Sequence, residues 1–160
     1  MDCTFATMQR EDLEFVNKVR NECREFLHDD RTFTLAETND WYNKTNPRWL
    51  TIFKMDLVIR VGYIRLAFDE KEYPHTTTIY VGMDIAKEKR RLGIAKQVFP
   101  MLLAMCKAKG FKTAKLEVLS NNIPAFELYK KLGFHSVDIK LHQQPVKKEP
   151  LLSIVMELPL

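Results

Sequence analysis

Residues 76–119 carry the pattern that most narrows the fold. The run TTTIYVGMDI alternates, with Ile79, Val81, Met83 and Ile85 on one face and Tyr80, Gly82 and Asp84 on the other, as a half-buried strand requires. From Arg91 to about Lys109, the residues Ile94, Val98, Met101, Leu102 and Met105 recur at helical spacing, and Gly110 supplies the stop. Pro100 falls inside this helix, where it deletes one backbone hydrogen bond and predicts a kink. KTAKLEVL then reads as a second strand. Two strands joined by a crossover helix pair in parallel within one sheet, so the chain has a mixed sheet and an α/β (α+β) fold.

The flanks complete the order. Residues 2–9 read as a strand, and Glu11 and Asp12 open a helix bearing Leu13, Val16 and Val19. Thr34 with Glu37 three residues on forms a capping-box pattern, which starts a short second helix reaching about Asn43. WLTIFKM and LVIRVGYIRLAF form a hairpin around Met55 and Asp56. Asn122 is placed to cap a later helix, with Pro124 in its first turn and Gly133 at its end, and FHSVDIKL and LLSIVMEL close the chain as antiparallel strands. The expected order is βααβββαβαββ, with about seven strands. Five glycines, no low-complexity stretch and no repeat leave no linker, so one domain over 1–160 is expected.

Composition excludes several classes. Lys and Arg exceed Asp and Glu by 25 to 21, a formal +4 spread along the chain that suits an anionic ligand but is no nucleic-acid footprint. Cys3, Cys23 and Cys106 are far apart, and His28, His75, His135 and His142 have no ligand spacing, so no metal site is expected. The histidines read as surface or loop residues, with His28 beside Asp29 and Asp30 placed to face an acceptor pocket. No apolar run approaches the roughly 20 residues of a membrane span, and the acidic N-terminus has no secretory pattern, which predicts a cytoplasmic protein with no membrane partner.

The chemistry concentrates at Arg90-Arg91-Leu92-Gly93-Ile94-Ala95, between strand and helix. A turn that points backbone N–H groups outward at a helix N-terminus seats phosphate oxygens. Gly93 lets the backbone approach a ligand, Ala95 is small, and Lys87, Lys89, Arg90 and Arg91 add mobile positive charge. The loop lacks the second glycine and Lys-Ser/Thr of nucleotide hydrolases and the three spaced glycines of dinucleotide folds. It resembles the R/Q-x-x-G-x-G/A signature of the GNAT superfamily of N-acetyltransferases at Arg90, Gly93 and Ala95. Downstream, LEVLSNNIPAFELYKKLGF is similar to the second half of that cofactor region, with Leu116, Val118, Asn122, Ala125, Tyr129, Gly133 and Phe134 in register.

The resemblance implies an acetyl-CoA-dependent N-acetyltransferase whose sheet splays between its fourth and fifth strands, holding the donor there. It implies that Met83, Asp84 and Ile85 bond the pantetheine arm, with a β-bulge near Gly82. The amides of Arg91, Leu92, Gly93, Ile94, Ala95 and Lys96, after Arg90, then hold the diphosphate. Asn122 meets the pantetheine or simply caps its helix. Tyr129 is the implied proton donor to the departing thiolate, or else packs beside the donor. For the general base, Glu117 stands first and Asp84 second; many members manage without one. Acceptor contacts are least defined. Arg20, Asn21 and Trp41 weakly resemble a subset acting on nucleotide-linked amino sugars, although Trp41 also suits packing of the second helix. A protein N-terminus, a lysine, a polyamine or an antibiotic amine compete as small-molecule or peptide acceptors, and relatives are commonly homodimers. The alternative from another class is a non-catalytic CoA-binding or regulatory module of the same fold.

Overall fold

The structure, a computed structural model, describes every residue except Met1, Pro47 and Arg48, so these three positions of the domain expected over 1–160 lie outside the described residues. The elements run β1 (Cys3–Thr7), α1 (Leu13–Cys23), α2 (Leu35–Lys44), β2 (Leu50–Met55), β3 (Ile59–Ala67), β4 (Thr78–Ile85), α3 (Ile94–Ala108), β5 (Thr113–Leu119), α4 (Ile123–Lys131), β6 (His135–Gln143) and β7 (Pro150–Pro159). This is the order expected from the sequence. The seven strands hydrogen-bond in the sequence β1-β2-β3-β4-β5-β7-β6. β1–β2, β2–β3, β5–β7 and β6–β7 pair antiparallel. β4 and β5 pair parallel from Thr78↔Thr113 to Tyr80↔Lys115, and both strands continue past that ladder.

The chain forms two compact units. One comprises Met1–Glu25, Arg31–Leu66 and Gly82–Ile94; the other comprises Phe26–Asp30, Ala67–Val81 and Ala95–Leu160.

In the first unit, the apolar stripe Leu13, Val16, Val19 and Cys23 of α1 is buried, as are Ile52, Phe53, Val61, Tyr63 and Ile64 on β2 and β3. Each such side chain contributes about 1.5–3 kcal/mol by leaving water. The capping box of α2 forms as its spacing predicts: Glu37 N donates to Thr34 Oγ1 at 3.1 Å and Thr34 N donates to Glu37 Oε2 at 2.7 Å. The β2–β3 turn places Asp56 and Leu57 at φ 50° and 65°, the left-handed pair of a tight hairpin, closed by Val58 N to Met55 O at 3.1 Å. The strand β4, whose residues 78–81 belong to the second unit, departs from the expected face. Ile79 and Val81 are buried, but the alternation then slips by one residue and buries Asp84 and Ala86. The expected grouping of Met83 and Ile85 with Ile79 and Val81 therefore ends at Gly82. A carboxylate can be buried at position 84 because Arg65 Nη2 lies 3.3 Å from its Oδ2.

The helix α3 starts at Ile94, the last residue of this stretch of the first unit, rather than at Arg91, and its remainder belongs to the second unit. Arg91 and Gly93 have φ of 61° and 77°, a left-handed conformation that no right-handed helix can include. The buried stripe of α3 is Ile94, Val98, Phe99, Leu102 and Cys106, whereas Met101 is exposed. Pro100 sits on the exposed face, and the helix runs on to Ala108. Three strands then lie in fixed register: Glu117↔Val155↔Asp138 in one row and Leu119↔Ser153↔Lys140 in a row two residues away. Because side chains alternate with period two, Glu117, Ser153 and Lys140 share one face. The segment Phe26–Asp30 is tied to this unit: Gln144 Nε2 donates to Leu27 O at 2.8 Å, and Val146 N and Lys147 N donate to the Asp30 carboxylate at 2.8 and 2.9 Å.

Candidate active site

The turn that leads into α3 is left-handed at two positions. Arg91 and Gly93 are both left-handed, Leu92 is exposed between them, and a Cβ built on Gly93 meets nothing within 4 Å. The first amides of a fifteen-residue helix have no acceptor within that helix, and its dipole makes this end positive. Ile94 is buried and anchors the turn, while Lys96 is exposed one residue past the half-buried Ala95. Arg90 behaves otherwise than as mobile charge. Its Nε donates to Ile85 O at 3.1 Å and its Nη2 to Cys23 Sγ at 3.1 Å, so the guanidinium staples the end of β4. Ile85 O is thereby taken by Arg90, with Cys23 Sγ also 3.7 Å away. Met83 is half-buried, and Asp84 is only 6% exposed and faces Arg65 and Tyr63. Burial, and then the charge of Asp84, hold the Tyr63 hydroxyl well above the usual phenol range.

Asn122 occupies the N-cap position of α4, yet its side chain makes no capping hydrogen bond. The reading of Asn122 as a plain cap does not describe this helix. Tyr129, half-buried on α4, packs its ring 5.4 Å from Phe99 and 5.8 Å from Phe134.

Glu117 lies at the centre of a polar cluster. Its Oε2 accepts from Ser153 Oγ at 3.3 Å and lies 3.4 Å from His28 Nε2, while its Oε1 is 3.6 Å from Lys140 Nζ. His28 Nε2 is 2.7 Å from Ser153 Oγ. The imidazoles of His28 and His142 stand edge to face, 4.7 Å apart, and His142 Nε2 donates to His28 O at 2.7 Å. Asp84, the second candidate base, has no comparable surroundings, being buried in an ion pair.

The Acetyltransferase (GNAT) family pattern matches residues 13–134, which includes the α3 turn and the end of α4. The chain belongs to the GNAT acetyltransferase family. Its fold agrees with that of solved acetyltransferase structures, at identities that speak for fold alone. An N-acetyltransferase from Staphylococcus aureus Mu50 aligns with 99% of this chain and 99% of its own, at 18% identity and TM-score 0.81. Spermidine N-acetyltransferase from Vibrio cholerae, solved with CoA and spermine, aligns with 98% of this chain and 95% of its own, at 18% identity and TM-score 0.86. The protein yncA from Salmonella typhimurium, solved with its cofactor acetyl-CoA, aligns with 99% of this chain and 94% of its own, at 15% identity and TM-score 0.78. Among curated proteins, none matches this sequence.

Within this GNAT chain, two of the three residues expected to meet an amino sugar, Arg20 and Asn21, bond a nearby loop. Arg20 donates to Arg31 O through Nη1 and stacks 3.8 Å from the Phe33 ring centroid. Asn21 bonds both backbone groups of Phe33, each at 2.9 Å. Both side chains hold the loop before α2. Trp41 is half-buried on α2, and its carbonyl accepts Thr45 N at 3.0 Å. Burial pushes the Cys106 thiol up to about 11, and burial followed by the Asp84 charge pushes Cys23 up to about 11, so neither is a thiolate at neutral pH. Sequence reading missed Ser153 and His142. The one available signal was a serine interrupting the apolar strand LLSIVMEL, but its neighbours are set by pairing across more than thirty residues.

Proposed function

We propose that this GNAT chain transfers the acetyl group of acetyl-CoA to a primary amine by direct attack in a ternary complex, as one domain over 1–160. The observation that carries the reading is the Arg91–Gly93 turn: two left-handed residues, open space at Gly93 and the start of a long helix together form an anion seat. A side chain at position 93 would fill that space. The amides from Arg91 to Lys96 bind the diphosphate and Arg90 fixes the end of β4, so the turn keeps its aim. Met83 and Asp84 offer main-chain groups to the pantetheine arm, Ile85 offers only its N–H because Arg90 holds its carbonyl, and Asn122 is a further contact. When bound, acetyl-CoA supplies the thioester. The amine nitrogen forms its bond to the acetyl carbon as the carbon–sulfur bond breaks, and the Tyr129 hydroxyl gives its proton to the sulfur. Glu117 is the carboxylate of the base site.

The acceptor reading rests at a primary amine. An amino-sugar nucleotide would draw on Arg20, Asn21 and Trp41, and the first two already bond the 31–33 loop. Release of free thiol from acetyl-CoA, measured across amino-sugar nucleotides, peptides and polyamines, tests the reading. Turnover on one class supports it and names the acceptor. Tight binding of acetyl-CoA with no thiol release on any amine favours the non-catalytic module instead.

A further inference from the structure

The end of β4 carries a second assignment, which rests on the acetyl-CoA reading above. We propose that Gly62 on β3 is a positioning residue that aims the Ile85 N–H, so that this amide donates to a carbonyl of the pantetheine arm.

Two contacts with β3 orient the main chain of residues 84–86. A Cβ built on Gly62 would overlap the Asp84 carbonyl oxygen, so that carbonyl is turned onto β3 at a residue whose missing side chain leaves room for it. Ala86 N in turn donates to Val61 O at 2.9 Å. A planar trans peptide unit holds its C=O and its N–H in opposite directions, and both peptides here are trans. With the Asp84 carbonyl on β3, the Ile85 N–H points away from β3; with the Ala86 N–H on β3, the Ile85 carbonyl points away as well. Both main-chain groups of Ile85 therefore face one side. The carbonyl is met there by Arg90 Nε at 3.1 Å. The parallel ladder of β4 with β5 ends at Tyr80, five residues earlier, and does not take the N–H. Ile85 thus presents one donor on that side, and the amide carbonyls of the pantetheine arm are acceptors that match it.

The aim depends on the missing side chain. Gly62 is buried opposite Phe53 in the β2–β3 register, and the same Cβ would lie 2.5 and 2.8 Å from Cζ and Cε1 of that ring. Phe53 is fully buried, so its ring has no room to swing aside. An added methyl group therefore displaces the Asp84 carbonyl and turns the Ile85 N–H with it. The Asp84 carboxylate is fixed separately, by the Tyr63 hydroxyl and by Arg65 Nη2 at 3.3 Å from Oδ2. Arg65 reaches it across Gly82, where a Cβ would come 3.0 Å from Nη2. The alternation of β4 slips between Gly82 and Asp84, so these contacts, not regular strand geometry, set the direction of the next peptide.

The experiment is calorimetric titration of wild type and Gly62→Ala with coenzyme A and with ADP, which carries a diphosphate without the arm. Gly62→Ala weakens coenzyme A binding by about 10-fold, the loss of one main-chain hydrogen bond, and leaves ADP affinity within about twofold. Equal losses for the two ligands, as a general loosening of the fold would give, overturn the assignment, and so does unchanged affinity for coenzyme A. Should Gly62→Ala not fold, amide hydrogen exchange of the wild type decides. Exchange at Ile85 that is slowed by coenzyme A and not by ADP supports the proposal, and the same rate in both complexes overturns it. Wild type that binds neither ligand overturns the diphosphate seat and this assignment together, whereas wild type that binds ADP as tightly as coenzyme A overturns this assignment alone.

Discussion

The α3 turn and the Glu117 cluster are built by opposite means. At the turn, the groups proposed to bind are main-chain amides, and the side chain of Arg90 is spent on holding β4. In the cluster the main chain only sets a register, and the contacts are made by four side chains drawn from β5, β6, β7 and the 26–30 segment. Main-chain sites depend on local conformation, so a few adjacent residues specify them. Side-chain clusters depend on pairing between distant segments, and a shift of one residue would point every member at the other face.

The largest expected effect breaks the turn. Gly93→Val and Gly110→Val are a matched pair, since both glycines are left-handed, at φ 77° and 96°, and both have open space around the missing Cβ. Backbone strain of roughly 1–3 kcal/mol is common to both variants. Only Gly93→Val places a branched side chain over the anion seat, and losing several amide contacts there weakens acetyl-CoA binding by roughly 1,000-fold. Calorimetry that finds equal affinity in the two variants would remove the turn from the site.

Next in size is a side-chain effect. Tyr129→Phe lowers kcat by on the order of 100-fold while the dissociation constant of acetyl-CoA stays within about twofold, because the ring keeps its packing on Phe99 and Phe134. An unchanged kcat assigns Tyr129 to packing alone.

The smallest effect concerns the anchor of the cluster. Burial alone would raise the Asp30 carboxyl, but the amides of Lys147 and Val146 outweigh it and hold the group below its ordinary value. A pKa lowered by folding contributes stability that is complete above the unfolded value of about 3.9 and is lost as pH falls through the folded one. Asp30→Asn therefore lowers Tm at neutral pH and flattens the fall in Tm below about pH 4. Melts that decline in parallel for both proteins would show that Asp30 does not fasten this segment.

The same contrast explains how much could be read in advance. The element order, the Thr34–Glu37 capping box and the crossover pair β4–β5 are local or near-local, and each follows from residue spacing. The helix α3 starts three residues later than its periodicity predicts because nothing in Arg91 announces a left-handed backbone. The slip in β4 went unread because a buried Asp84 needs Arg65, nineteen positions away. The surroundings of Ser153 are not legible in the sequence because β7 inserts between β5 and β6, and only that insertion sets Ser153 between Leu119 and Lys140.

The central claim is that main-chain amides of the α3 turn hold a diphosphate. Its most direct test is calorimetric titration of the full chain with coenzyme A and, separately, with pantetheine, which carries the thiol arm without the diphosphate. Saturable binding of coenzyme A with at least a 100-fold loss for pantetheine, about 2.7 kcal/mol, is the predicted result. Equal affinity for the two ligands, or no binding of coenzyme A, would contradict it.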